Sequence, residues 1–487
     1  MEVNNKHITL EDVALLVFSV SVAFVAVWLA TVYRRPHTTS LKGPPSTSLM
    51  FGVTKDLFEA DDTGIIYEQW EKEFGPVYSI PSTLGSQEII LCDPKAIAHH
   101  YSNDCFKYQQ TPGTRVLLSH FVRFLDSIGA GGFAHNFGSL KGHASPVVAA
   151  FDSFGDVQPN AVIAISFLLA ADVFPFLSKI PNERTNAFKK ITGSVEAIAN
   201  ELLERARLEK ANTADTTDKS VIGSLVRSET ASLNIHLTRD EIIAQNLLIL
   251  AGYETTAISL TWALIELCKN PEAQTNLREE LSQLKDDPTY EQLTNGLPYL
   301  DAVASESLRL HPPVPETKRE AQEDDVIPLT QPIRAADGTL IESIFIAKGT
   351  HLRVPIRALN RSETLWGKDA KAFRPSRWLD GGLSQQRASE IQGIRHLLTF
   401  IDGPRACLGR MFALTEFKVI LLSRLFNALC VDAAARQAVL SVLIRNFAFE
   451  LPNGPATNVG THRAILQRPK IQGEDDARVP LLVKRVE

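Results

Sequence analysis

The chain is poor in cysteine and carries no excess of basic residues. Its five cysteines, Cys92, Cys105, Cys268, Cys407 and Cys430, are an odd number, lie far apart and form no CxxC pair. That excludes a disulfide framework and a zinc ribbon and suits a reducing compartment. Fifty Lys and Arg stand against 56 Asp and Glu, a formal net charge of −6. With no basic stripe, nucleic acid is excluded as the main partner. No dinucleotide- or flavin-binding segment is evident, so any redox chemistry must draw its electrons from another protein. After about Phe51 there is no second Pro/Gly/Ser-rich linker, no repeat and no low-complexity stretch. With 44% hydrophobic and 22% charged residues, residues 51–487 read as one large globular domain.

One long apolar run is present. Residues 13–33, VALLVFSVSVAFVAVWLATVY, carry no charge and span roughly 30 Å as a helix, the thickness of a bilayer core. Trp28 and Tyr33 stand near one end, where amphipathic rings prefer the interface. Glu11 and Asp12 occupy the place of a basic n-region and no A-x-A site follows, so the run reads as an anchor and not a cleaved signal. Arg34 and Arg35 then assign the remainder to the cytosol and residues 1–12 to the lumen. Residues 34–50, with Lys42-Gly43-Pro44-Pro45, read as a stiff linker.

Helical periodicity dominates the body. Thr238-Arg-Asp-Glu241 is a capping box opening a helix of about 45 Å that runs to Asn270. Asn270-Pro271-Glu272 predicts an N-cap followed by a helix through Leu284. A further helix from Pro298 must stop at His311-Pro312-Pro313. Strand-like runs are few: Pro76–Ile80 facing Glu88–Leu91, and Ser343–Ala347 facing His351–Val354 across Lys348-Gly349.

The most informative window is Phe400-Ile-Asp-Gly403-Pro-Arg405-Ala-Cys407-Leu-Gly409. Gly403 and Pro404 demand a tight turn, and a helix-compatible run from Met411 to Leu429 follows. Cys407 therefore stands at a helix start, where free N–H groups and the dipole favour a thiolate. Gly409, lacking a side chain, lets a flat macrocycle approach the backbone. Arg405 can pair with a carboxylate. A buried inert thiol is the commoner fate of a lone cysteine, but five fixed positions within ten residues argue against chance. The pattern F-x-x-G-x-R-x-C-x-G resembles the cysteine signature of the cytochrome P450 family.

Other segments resemble that family in the same order. Glu306-Ser-Leu-Arg309 is similar to its E-x-x-R helix, with both residues on one face. Phe373-Arg-Pro-Ser-Arg377-Trp378 resembles the segment whose arginine completes a triad with that pair. Alone, an E-x-x-R match is a solvated surface pair worth a few tenths of a kcal/mol; in register with Arg377 and Cys407, the resemblance implies a structural-core role. Arg319 resembles an arginine that reaches a haem propionate in many members. Ala251-Gly252-Tyr253-Glu254-Thr255-Thr256 resembles the A-G-x-(D/E)-T-(T/S) motif. Small residues at 251 and 252 let the helix cross a haem face, and Thr255 can bond back to the Ala251 carbonyl, loosening the ladder. Glu254 as acid and Thr255 as alcohol would relay protons in a dry pocket.

The resemblance implies a mainly α cytochrome P450 fold with small β-sheets after one transmembrane helix. It implies haem b on Cys407, and a monooxygenase inserting one atom of O2 into an apolar organic substrate. An NADPH-dependent cytochrome P450 reductase would supply electrons at the endoplasmic reticulum membrane, in contact with its lipid. The pattern breaks between Phe106 and Gly129, where members carry a helix with a tryptophan and basic residues that clamp the haem. Here the chain offers only Arg115 and Arg123 and is short by tens of residues, as though that helix were deleted. Two other readings therefore stay open: a non-catalytic remnant with impaired haem binding, and a P450-type isomerase or dehydratase.

Overall fold

The computed structural model describes residues 38–48, 50–111, 247–284, 288–379, 387–422, 447–462, 466–474 and 479–486. The apolar run at 13–33, the capping box at Thr238, the break near Gly129 and Cys430 lie outside the described residues. Among the described residues no helix is long and apolar enough to cross a membrane.

The amino-terminal part begins with two helices, α1 (Thr54–Glu59) and α2 (Thr63–Phe74), the latter capped by the Asp62 side chain accepting from the Gly64 N–H. Strands β1 (Val77–Pro81) and β2 (Gln87–Leu91) follow as an antiparallel pair, the pairing expected from their alternating apolar residues. Helix α3 (Pro94–Ser102) starts on an Asp93 cap and leads to the short strand β3 (Tyr108–Gln109). The long helix α4 (Leu247–Lys269) is followed by α5 (Pro271–Ser282) and α6 (Pro298–Leu310). Then come β4 (Thr317–Ala321), β5 (Asp325–Arg334), β6 (Leu340–Ile346), β7 (His351–Val354), α7 (Ile356–Asn360) and α8 (Glu363–Trp366). Helix α9 (Arg410–Leu422) precedes β8 (Phe447–Glu450), β9 (Val459–His462), β10 (Arg468–Ile471) and β11 (Leu482–Arg485).

The main sheet has the order β1-β2-β7-β4-β3, and three two-stranded ribbons, β5–β6, β9–β10 and β8–β11, surround it. Ser343–Ala347 and His351–Val354 do not form the expected hairpin. The Lys348-Gly349 turn exists, with Gly349 at φ +84° and Thr350 N–H bonded to Ala347, but the chain leaves it in a new direction. Strand β6 pairs back onto β5, while β7 enters the main sheet between β2 and β4. Leu352 and Val354 are fully buried there, and a ribbon could not have covered both of their faces.

The presumed linker is also laid onto this sheet. Leu41 is buried in the core, Ser79 N–H donates to the Lys42 carbonyl, and Phe345 N–H donates to Thr39 Oγ1. Gly43 passes so close to strand β1 that an added Cβ would overlap the Ser79 carbonyl. The body thus begins before residue 51. Asn270 does not cap α5: its side-chain amide donates backwards to the Glu266 carbonyl at 2.8 Å.

Two apolar cores meet at α6. Leu308 belongs to the cluster around the sheet with Tyr78, Ile90, Tyr101, Leu352 and Trp366. Leu300, Val303 and Ala304 of the same helix pack with Ile265, Leu277 and Phe417 in the helical cluster. Burial on both sides holds α6 rigidly, and its polar residues must find partners inside the protein.

Candidate active site

Glu306 and Arg309 lie in α6 with both side chains fully buried. Arg309 grips the carboxylate with two parallel bonds, Nε to Oε2 at 2.9 Å and Nη2 to Oε1 at 2.8 Å. Arg377 approaches the same carboxylate through Nε at 3.4 Å, and the Arg374 backbone N–H donates to it at 3.0 Å. The other guanidinium nitrogens bond carbonyls, Arg309 that of Asn360 at 2.7 Å, Arg377 those of Trp366 at 3.0 Å and Asp369 at 2.9 Å, and Arg377 also reaches the Asp369 carboxylate at 3.1–3.2 Å. The Arg309 guanidinium also lies 5.1 Å from the centre of the Trp366 ring. The surface-pair reading fails because no group here touches water. The triad ties α6 to the 366–378 segment, which leads towards the cysteine loop.

That loop is shaped by its glycine. Gly403 sits at φ +74°, and a Cβ on it would come 2.2 Å from the Tyr101 carbonyl oxygen. The end of α3 therefore rests directly on the turn Gly403–Arg405. Ile401 adopts φ +50°, costly for a β-branched residue, and is held by its N–H bond to Leu398 at 2.8 Å. Cys407 N–H donates to the Phe400 carbonyl at 2.9 Å, and Arg410 opens α9 just beyond. Phe400 packs half-buried against the sheet cluster. The sulfur is thus placed at a helix entrance by a loop clamped on both sides.

Burial pushes the Cys407 thiol up, against the opposing pull of the Gly409 N–H and the Arg410 charge. Among the described residues burial outweighs these two influences and favours the thiol, where the sequence reading expects a thiolate. A metal ion bound to the sulfur would supply the missing stabilisation. The donor set suits iron that brings its own nitrogen ligands. Among the described residues no group of three or more His, Cys, Asp or Glu could hold a bare ion. Nothing lies within 4 Å of a Cβ added at Gly409. Leu408, the next residue along the chain and 81% exposed, and the exposed Phe412 in the first turn of α9 present apolar surface in the same segment. A lone sulfur in an open apolar setting fits a porphyrin.

The two arginines near this loop are differently engaged than expected. Arg405 is exposed and donates to the Cys105 carbonyl at 3.5 Å, meeting no carboxylate among the described residues. Arg319, buried in β4, is held in a two-pronged pair by Asp104, with Nε–Oδ1 2.6 Å and Nη2–Oδ2 3.1 Å. A propionate would have to share Arg319 with that buried carboxylate.

Helix α4 runs as regular α-helix through residues 251–256, with no break in its assignment at the expected loosening. Gly252 and Thr255 are half-buried. Ser259 Oγ donates to the Thr255 carbonyl at 2.9 Å, and Thr256 Oγ1 is buried with no partner. The side chains of Ala251 and Glu254 lie outside the described residues, as do Arg115 and Arg123. Two partners escaped the sequence reading. Trp378 Nε1 donates to Glu306, and its position beside Arg377 was the available signal. Asp104 carried no signal, being one acid far along the chain from Arg319.

A core-locked Glu–Arg–Arg triad together with a cysteine at a helix entrance is the arrangement expected of a haem–thiolate enzyme. The sequence model of the cytochrome P450 family matches residues 109–455. The chain is 46% identical to cytochrome P450 monooxygenase claQ of Ampulloclitocybe clavipes, over 93% of this chain and 94% of that protein. It is 45% identical to claO of the same fungus, over 96% and 98%. Cytochrome P450 monooxygenase 128 of Postia placenta is 28% identical over 98% and 99%. The chain belongs to the cytochrome P450 family and is an enzyme of its monooxygenase class. The alignments with claQ and claO, at 527 and 551 positions, are longer than the 487-residue chain itself. These relatives therefore carry stretches that this chain lacks.

Proposed function

We propose that this protein inserts one oxygen atom from O2 into an apolar organic substrate, with haem b bound through Cys407. The observation that carries the reading is the placement of Cys407 by the Phe400–Gly409 loop at the entrance of α9. The haem, once bound, supplies the oxygen chemistry. The protein's own part is to position and to deliver protons. Phe400 and Gly403 fix the loop, and Gly409 leaves the backbone open to the ring. Ala251 and Gly252 let α4 pass over the opposite face, where Thr255 and Glu254 hold the protons the reaction consumes. Arg319 and Arg405 stand near the loop as cations for carboxylates at the edge of the group. Electrons come from an NADPH-dependent cytochrome P450 reductase, since the sequence offers no flavin or nicotinamide site. The apolar run at 13–33 anchors the chain in the endoplasmic reticulum membrane and lets a lipid-partitioned substrate reach it.

The test is the difference spectrum of the reduced protein under carbon monoxide. The thiolate-specific band is expected in the native chain and absent in Cys407→Ser. An unchanged spectrum in the serine variant would end this reading. The stretches that the relatives carry and this chain lacks favour one competitor, a haem-poor remnant. Haem content of the purified full chain separates the two, near one per chain for the enzyme and far below for the remnant.

A further inference from the structure

A concavity of about 400 Å³, none of whose lining residues belongs to the cysteine loop, lies between the start of α2, the ends of α4 and α6, α7 and the β9–β10 ribbon. Arg357 and Arg361, one helical turn apart, line it together. Both reach the same oxygen of Asp62, Arg357 Nη2 at 3.4 Å and Arg361 Nη1 at 3.1 Å. One carboxylate thus serves two guanidiniums. Arg357 also donates to Gln467, yet its Nε is buried with no acceptor. Burial lowers Arg361 to about 9, with the neighbouring Arg357 as the next cause, and burial lowers Arg357 as well.

The other acids of the cavity are engaged or peripheral. Glu266 accepts from His311 Nε2 at 2.8 Å, and Glu68 is shared by Lys371 and Lys72 at 2.7 and 2.8 Å. Asp61 is exposed. His311 is kept neutral by burial, at about 4, and stacks on Trp262 with ring centres 4.0 Å apart. Lys269 and Lys470 line the cavity and form no salt bridge among the described residues. Arg361 is itself engaged, with Nε on the Leu310 carbonyl at 2.7 Å and Nη2 on His311 Nδ1 at 3.4 Å. A small oxyanion is the group that the orphan Arg357 N–H and the Lys269 and Lys470 ammonium groups recognise together, backed by the Arg361 charge. The volume exceeds what a bare anion fills, and the stacked rings offer an apolar wall for an organic remainder.

We propose that this cavity binds a phosphoryl group, as a soluble phosphate monoester or as the headgroup of an anionic phospholipid, between Arg357 and Arg361. The site is independent of the haem reading. The test uses the full chain in detergent at constant ionic strength, with melting temperature read against inorganic phosphate, glycerol 3-phosphate and dihexanoyl phosphatidic acid. Saturable stabilisation that chloride does not reproduce is expected. In the rim variant Lys269→Gln/Lys470→Gln, which leaves the buried arginines intact, the affinity should fall about tenfold, the loss typical of a charge-assisted contact. Tighter binding of the short-chain lipid would assign a headgroup, and tighter binding of glycerol 3-phosphate a soluble ligand. No saturable effect of any of the three, or equal affinity in the rim variant, would overturn the proposal.

Discussion

Trp378 Nε1 donates to Glu306 Oε2 at 2.8 Å, on the same oxygen that Arg309 Nε reaches at 2.9 Å. With Arg309 Nη2, Arg377 Nε and the Arg374 N–H on the other oxygen, the buried carboxylate accepts from five N–H groups of four residues. Glu306→Gln would remove the charge that compensates two buried guanidiniums, at a cost of about 3–5 kcal/mol. We expect the variant to lose cooperative thermal unfolding and haem together. A melting temperature within a few degrees of the native value would show that the triad is dispensable. Trp378→Phe keeps the ring and removes one donor, so its cost should be only about 1–3 kcal/mol.

The histidine next along α6 predicts a pH dependence of stability. His311 is buried and lowered to about 4, chiefly by desolvation, against an ordinary value of 6.5. Between those values the unfolded chain binds a proton that the folded chain refuses, so stability is full above about 6.5 and falls as pH drops towards 4. The loss is on the order of 3 kcal/mol. His311→Gln, which retains a hydrogen-bond donor for Glu266, should flatten this part of the profile of melting temperature against pH. Glu266, lowered by its bond to His311 although burial opposes it, loses its contribution at still lower pH. Identical slopes in the two proteins between pH 4 and 6.5 would refute the assignment.

How legible the molecule was in its sequence depended on the range of the interaction. Helix α6, its proline stop and the cysteine turn were readable because Pro298, Pro312 and Gly403 act on their own backbone. The E-x-x-R pair was readable as a pair from its spacing, but its core role only through the family resemblance, which also singled out Arg377, because the lid over it comes from residues 366–378. Strand β7 was read with its observed bounds but given the wrong partner, because a turn signal at Gly349 is local, whereas its pairing with β2 joins Glu88 to His351. Arg319 could be singled out but not its partner Asp104, since a bond across that separation leaves no local trace. The setting of Cys407 was legible in part for a related reason: the helix start is local in the sequence, while the burial that raises the thiol comes from elsewhere in the chain.

The cysteines should report that balance directly. In haem-free protein the Cys407 thiol, pushed up by burial, should alkylate slowly at neutral pH and accelerate only above the ordinary thiol range. Cys268, at about 12, and buried Cys92, also raised, should stay inert throughout. Residue-resolved mass spectrometry after iodoacetamide labelling measures all three. Loading with haem should then abolish labelling at Cys407 and leave the others unchanged. Rapid labelling of Cys407 at pH 7 without haem would mean that the helix start does prevail over burial.

The two glycines flanking Cys407 should separate loop shape from room for the ring. Gly403→Ala places a Cβ against the Tyr101 carbonyl in a left-handed backbone, a strain of about 1–3 kcal/mol before any clash is counted. It should lower the melting temperature of the haem-free protein and its haem content alike. At Gly409 an added methyl meets nothing within 4 Å and the backbone is not left-handed, so Gly409→Ala should leave the haem-free protein as stable as before. Its effect should appear only on haem uptake, followed by the absorbance of the bound pigment, because the methyl would stand where the macrocycle approaches the backbone. If Gly409→Ala binds haem as well as the native chain, the ring does not pass over that backbone, and the sulfur would have to present itself to iron from another side.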